Sequence, residues 1–226
     1  MELSIDTSTR YAGLCLSEQG ESLTELTWRS ERNHTVELSP RVEMILERNG
    51  AKFSDLTGLI IAQGPGNFSA LRVGISYAKG LAFSLQIPLV AINTLKAEAT
   101  PYMNMNLPVY ALLDAGRNEV VWSCFGKNME GTPKSVDSIE DLCKQMKVPA
   151  ILCGEILPWH HGSIETILPS GIHITTVTLP SRRPSILASL GHTRLINEDY
   201  DDVATLQPEY ARAPNISQPK PPKPIQ

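Results

Sequence analysis

Apolar side chains along the first hundred positions change their spacing several times, and each change predicts an element. Leu3-Ser4-Ile5-Asp6 alternates with a period of two, as a half-buried strand does; after the polar turn Thr7-Ser8-Thr9-Arg10 a second such run spans Tyr11 to Leu16. The pair predicts a hairpin, and a third run near Ser22 to Trp28 completes an antiparallel meander. From about Asn33 to Asn49 the period lengthens, so that Leu38, Val42, Ile45, Leu46 and Asn49 share one face of an amphipathic helix. Ser39-Pro40 leaves its start open. Either the helix begins there with Ser39 as cap, or an earlier turn from Asn33 or His34 is kinked by the proline.

Leu56 to Ala62 is a short apolar run that ends at Gly64-Pro65-Gly66, the pattern of a strand buried on both faces. A helix from Ser69 to about Gln86 and a strand at Pro88 to Ile92 then make a β-α-β crossover, which places the chain in the α/β class. Past a helix at Thr94 to Met103, the runs Leu107 to Asp114 and Glu119 to Phe125 predict a hairpin turning at Ala115-Gly116-Arg117-Asn118. The rest reads as a helix at Ser138 to Gln145, a strand at Ala150 to Cys153 and a short helix near Ile164. A strand at Ile172 to Val177 and a helix from Pro184 to about Ile196 follow. Two halves are expected, 1–103 and 104–212, followed by a proline-rich, unpacked and extended tail, 213–226.

At 226 residues, 42% hydrophobic and 19% charged, the chain can bury a core without staples. Its most apolar stretch, Leu81 to Leu95, is interrupted by Ser84, Gln86, Pro88, Asn93 and Thr94, too polar for a bilayer. Met1 leads within two residues into a strand with no apolar leader, and Cys15, Cys124, Cys143 and Cys153 stand singly, so a cytoplasmic protein with reduced thiols is expected. The net charge of −4 argues against a broad nucleic-acid surface; direct RNA binding would need a local patch.

Candidate chemistry is sparse. Asp6, Thr7, Ser8 and Thr9 offer a carboxylate and three hydroxyls at a hairpin tip, which suits a phosphate and its magnesium ion; equally, short polar residues simply close a tight turn. No glycine opens that turn to a phosphate. Gly64-Pro65-Gly66-Asn67-Phe68-Ser69 precedes a helix N-terminus able to hold an anion, yet it lacks the lysine of a Walker loop, and a glycine turn with Ser69 as cap explains it as well. The following helix carries only Arg72 and Lys79 as charges. Ala70, Gly74, Ala78 and Ala82 form a row of small side chains, and Val73, Ile75, Tyr77, Leu81, Phe83 and Leu85 cover much of the rest. Such a helix is buried on most sides, either under the preceding helix or under another protein. The histidines show no metal-ligand spacing, and no serine or cysteine sits in a nucleophile motif, so neither a peptidase nor a metal site is expected.

Several of these segments together resemble the bacterial TsaB, or YeaZ, family. The resemblance runs from Met1 to Arg212 and is carried by Leu3 to Thr9, by His34 to Leu46, and by Gly64-Pro65-Gly66-Asn67-Phe68-Ser69-Ala70-Leu71-Arg72-Val73-Gly74. Lys79-Gly80-Leu81-Ala82, Asp114 to Val120 and Pro208-Glu209-Tyr210-Ala211-Arg212 complete it. The long central motif departs from the family pattern at Asn67, Ser69 and Ala70, where Ser, Thr and Gly are usual. The resemblance implies an actin-like ATPase (RNase H-like) fold of two related subdomains, mixed sheets flanked by helices, with a degenerate nucleotide site at Asp6, Thr7, Ser8 and Thr9. It implies no catalysis, no metal, and no cofactor except ATP or ADP at a joint interface. The implied role is a scaffold and activator for the catalytic TsaD subunit, together with the ATPase TsaE, as threonylcarbamoyl is transferred to an adenosine beside the tRNA anticodon. In that family the first two helices form the surface shared with TsaD or, in a homodimer, with a second copy. The contact residues implied here are His34, Leu38, Val42, Ile45, Ala70, Arg72, Val73, Gly74, Tyr77, Ala78 and Leu81. A small ATPase or sugar kinase of the same fold is the rival expectation.

Overall fold

The computed structural model describes residues 1–126, 130–155, 164, 166–174 and 183–212. Its first sheet contains β1 (Glu2–Asp6), β2 (Tyr11–Glu18), β3 (Glu21–Arg29), β4 (Gly58–Gly64) and β5 (Leu89–Asn93), in the order β3-β2-β1-β4-β5. The meander is antiparallel, with Ile5 opposite Leu14, while β4 lies parallel to β1 and β5 parallel to β4. Parallel neighbours need crossovers, and the helices α1 (His34–Arg48) and α2 (Phe68–Leu85) supply them.

A second sheet is built the same way. β6 (Val109–Gly116), β7 (Glu119–Phe125), β8 (Ser135–Ser138), β9 (Ala150–Gly154) and β10 (Ile172–Ile174) take the order β10-β9-β6-β7-β8, with α4 (Ile139–Gln145) between β8 and β9. Reading β6 to β10 for β1 to β5, the order and the parallel or antiparallel sense of every pair repeat. The fold is a duplicated mixed-sheet unit of the actin-like ATPase type. β8 was not predicted, because Ser-Val-Asp-Ser has a single apolar position and gives no alternation to read.

Period-two burial explains why the first sheet is covered on both faces. Leu59 and Ile61 of β4 turn toward α1 and α2, where they join Leu3, Ile5, Leu38, Val42, Ile45, Ile75 and Ala78. Ile60 and Ala62 turn the other way and pack with Val90, Ile92, Ala97 and Leu187. Leu187 belongs to α5 (Pro184–Ile196), and Ala97 to α3 (Thr94–Ala99). α5 and Leu206 follow the second sheet in sequence but pack on the first, so the chain returns to its first half after completing the second sheet.

Of the two starts left open for α1 the earlier is found: the helix begins at His34 and carries Pro40 inside it. Two local expectations change. Asn67, and not Ser69, caps α2: its side-chain oxygen accepts from the Ser69 and Ala70 amides, each at 3.2 Å. The helix expected through Met103 is α-helical only to Ala99 and continues as a 3₁₀ turn, Thr100–Met105, where Pro101 has no amide to donate. The four cysteines are free thiols. Among the described residues no helix is long and apolar enough to cross a membrane. The tail 213–226, His160-His161 and the end of the Ile172 to Val177 strand lie outside the described residues, as does most of the short helix near Ile164.

Candidate partner surface and interlobe cleft

Eleven residues were expected at a shared surface, and the structure divides them. Leu38, Val42 and Ile45 are buried in the core of their own chain, because one face of α1 must cover β1, β2 and β4. Ala70, Gly74 and Ala78 are buried too. Their small-residue row lets α2 approach the sheet closely and does not await another helix: a Cβ on Gly74 would lie 2.2 Å from Thr7 Oγ1 and 3.3 Å from Ile61 Cδ1. His34 is buried at the head of α1 and donates from Nε2 to the Thr9 carbonyl at 3.1 Å. These seven side chains therefore support the surface from beneath. Val73, Tyr77 and Leu81 are half-buried along the side of α2, with Tyr77 hydrogen-bonded to Ser39 of α1; burial pushes its phenol up. Arg72 is exposed, lies over the Phe68 ring and donates from Nε to Tyr210 Oη at 2.8 Å.

The faces turned to solvent use other residues. On α1, Val36, Pro40 and Met44 repeat at i, i+4 and i+8 opposite the buried stripe, with Val36 70% and Met44 46% exposed. On α2, Ser76, Gly80 and Ser84 form a second small-residue row, this one exposed, beside Phe83 at 74%. A Cβ on Gly80 would meet nothing within 4 Å. The row of small residues read from the sequence, Ala70, Gly74 and Ala78, is thus the buried one, and the Val36, Pro40 and Met44 spacing is a second apolar row on the solvent side of α1.

The hairpin turn beside these helices is closed. Asp6 Oδ1 accepts from the Ser8 amide at 2.8 Å and from Ser8 Oγ at 2.5 Å, and Thr7 Oγ1 donates to the Ala70 carbonyl at 2.7 Å. The Asn67 amide, at the head of α2, donates to the Ser8 carbonyl at 2.6 Å, and a Cβ on Gly66 would lie 2.2 Å from that oxygen. Backbone from the glycine loop thus sits directly on the turn, and the Asn67 side chain takes two of the helix-end amides. These contacts are the geometry of a tight polar turn closed through local hydrogen bonds.

A cleft of about 440 Å³ does lie between the two sheets, lined by Thr9, Arg10 and Gly66 to Phe68 from the first half and Asp114 to Gly116 and Glu155 from the second, with Tyr210 to Arg212 at its edge. Two ion pairs border it: Arg10 Nε lies 3.8 Å from buried Glu155, and Arg212 meets Glu119; Asp114 Oδ1 accepts from the Gly116 amide at 3.1 Å. Among the described residues no group of three His, Cys, Asp or Glu side chains can hold a metal ion.

A family model described as TsaD, tRNA N6-adenosine threonylcarbamoyltransferase, matches residues 28–153, more than half of the chain. A Bacillus subtilis protein described as tRNA threonylcarbamoyladenosine biosynthesis protein TsaB is 29% identical over 93% of both chains. The chain belongs to this family, and within it to the TsaB (YeaZ) proteins. A TsaB protein of Haemophilus influenzae is 34% identical over 54% of this chain and 52% of its own. YeaZ from Pseudomonas aeruginosa superposes with a TM-score of 0.75 at 24% identity, covering 92% of this chain and 98% of that one. A putative N-acetylmannosamine kinase from Listeria monocytogenes shares the fold at a TM-score of 0.52 and 9% identity. The stretch 28–153 contains α1, α2 and the whole of β6 and β7, so the family signal covers the outward helix faces and, of the cleft lining, Gly66 to Phe68 and Asp114 to Gly116.

Proposed function

We propose that this TsaB-family chain is a non-catalytic subunit of the machinery that makes N6-threonylcarbamoyladenosine in tRNA, acting in the cytoplasm as scaffold and activator for a TsaD-like catalytic subunit alongside a TsaE-like ATPase. The observation that carries the reading is the outer faces of α1 and α2, where Val36 and Met44 on one helix and Phe83 and the open Gly80 on the other are exposed. Large apolar side chains beside a small-residue row are what a helix pair presents to another helix pair. In the absence of the catalytic subunit the same face would join two copies. Contact with tRNA is indirect, and ATP or ADP is held only where the partner completes a site, consistent with the closed turn at Asp6 to Thr9.

Size-exclusion chromatography with light scattering tests this, on the chain alone and mixed with the TsaD protein of the same organism. A mixed complex that forms with the parent chain and is lost with Gly80→Arg or Phe83→Glu supports the scaffold. Absence of any complex, together with tight ATP binding by the isolated chain that Asp6→Ala abolishes, would favour the kinase-like enzyme instead.

A further inference from the structure

The segment that follows α5 first tightens onto one half of the molecule and then crosses to the other. Leu206 is buried in the core beneath α2, and Lys79 Nζ donates to the carbonyls of Ala204 and Leu206 at 3.1 and 3.0 Å. Gln63 Nε2 donates to the Gln207 carbonyl at 3.2 Å, and the Glu209 amide donates to the Gln63 carbonyl at 2.9 Å. Up to this point every partner lies in the first half. Glu209 then divides its carboxylate: Oε2 accepts from Asn93 Nδ2 of β5 at 2.8 Å, and Oε1 accepts from Lys134 Nζ, just before β8, at 2.7 Å. Tyr210 stacks on Phe68 with ring centroids 4.6 Å apart, Ala211 packs against the core beneath the second sheet, and Arg212 pairs with Glu119 of β7.

We propose that residues 206–212 form an intramolecular latch, with Glu209 as its clasp, that holds the two halves closed over the cleft between them. In two-lobed folds the halves generally close by hinge motion when a ligand bridges them, and the ligand's contacts to both sides supply the stabilisation. Here a covalently attached segment makes those contacts, at an effective concentration no free ligand matches. Glu209 is suited to the task because one carboxylate has two oxygens, and each is directed to a different half. The consequence is a cleft geometry, and hence an α2 N-terminus, fixed without nucleotide. This inference does not rest on the partner reading; it concerns the isolated chain.

Hydrogen–deuterium exchange on the full chain tests the latch, comparing the parent with Glu209→Gln, Lys134→Met and, as a surface control, Lys144→Met. Lys134→Met removes only the tie of Glu209 to the second half and leaves the Asn93 and Gln63 contacts in place, so it reports if Glu209→Gln fails to fold. The expected result is exchange about fivefold faster at 66–71 and at 114–118, the cleft-lining turns of the two halves, with the helices α1 and α5 unchanged. The control should behave as the parent. Acceleration confined to 206–212, no acceleration at all, or uniform acceleration through the whole chain in Lys134→Met would each overturn the proposal, because the segment would then be a packed tail or ordinary core and not a tie between halves.

Discussion

Gly74 and Gly80 lie on the same helix and face opposite ways, and the difference is measurable. Gly74 abuts Thr7 and Ile61, so Gly74→Ala should cost about 1–3 kcal/mol through overpacking, read as a lower urea midpoint, and Gly74→Leu should not fold. Gly80 meets open space, so Gly80→Ala should raise stability by about 0.5–1 kcal/mol through helix propensity alone. A partner surface is therefore probed at Gly80, where a lost complex and a lost fold are separate outcomes. Glu2 gives a second prediction at this scale. Burial pushes its pKa up, but hydrogen bonds donated by Ser17 Oγ at 2.7 Å, the Gly20 amide at 3.1 Å and His192 Nδ1 at 2.7 Å bring it below the ordinary glutamate value of 4.5. A folded-state pKa below the unfolded one adds stability above the unfolded pKa, and that contribution is lost as pH falls through the folded pKa. The stability gap between parent and Glu2→Gln should accordingly be full at neutral pH and shrink below about pH 4.5, as followed by urea midpoints across that range.

At the scale of the element, each of the two long helices has a face that holds the fold and a face that does not. Leu38 anchors α1 against the sheet, so Leu38→Ala should destabilise by about 2–5 kcal/mol. Met44, half a turn round, is 46% exposed, and Met44→Ala should leave the unfolding midpoint nearly unchanged while weakening any partner complex. Equal loss of stability in both variants would contradict the division of faces. The N-terminus of α2 adds a smaller contribution: Asn67→Ala removes the acceptor for two amides and should cost about 1 kcal/mol.

For the whole molecule, duplication of the sheet unit creates a cleft, and the C-terminal segment decides what becomes of it. β1 to β5 and β6 to β10 repeat one connectivity, but the last helix and the strand-like segment after it return to the first half, where Asp201 caps the β5 edge by accepting from the Ala91 amide at 2.7 Å. Arg194 holds Asp201 in place at 2.9 Å and Asp199 at 2.7 Å. An open edge strand invites pairing with another chain, and this arrangement covers one. The β5 edge is thereby closed to strand addition, which leaves the outer face of α1 and α2, the surface proposed for the partner, as the place to test association.

Sequence alone determined most of the elements and the α/β class, because burial on a strand or helix leaves a periodicity along the chain; β8, with one apolar position in four, left none. It also determined the family, through a long run from Gly64 to Gly74 that spans a strand end, a turn and a helix start. What tertiary structure decided was direction. A row of small residues states that something approaches closely, and only the packed sheet shows that for Gly74 the neighbours are the chain's own Thr7 and Ile61. The polar turn at Asp6 to Thr9 states an ability to hydrogen-bond, and only the Asn67 amide on the Ser8 carbonyl shows that the ability is already used. Glu209 and Lys134 are separated by 75 positions, and no local pattern connects them; their meeting at 2.7 Å depends on where two sheets and a returning segment come to rest.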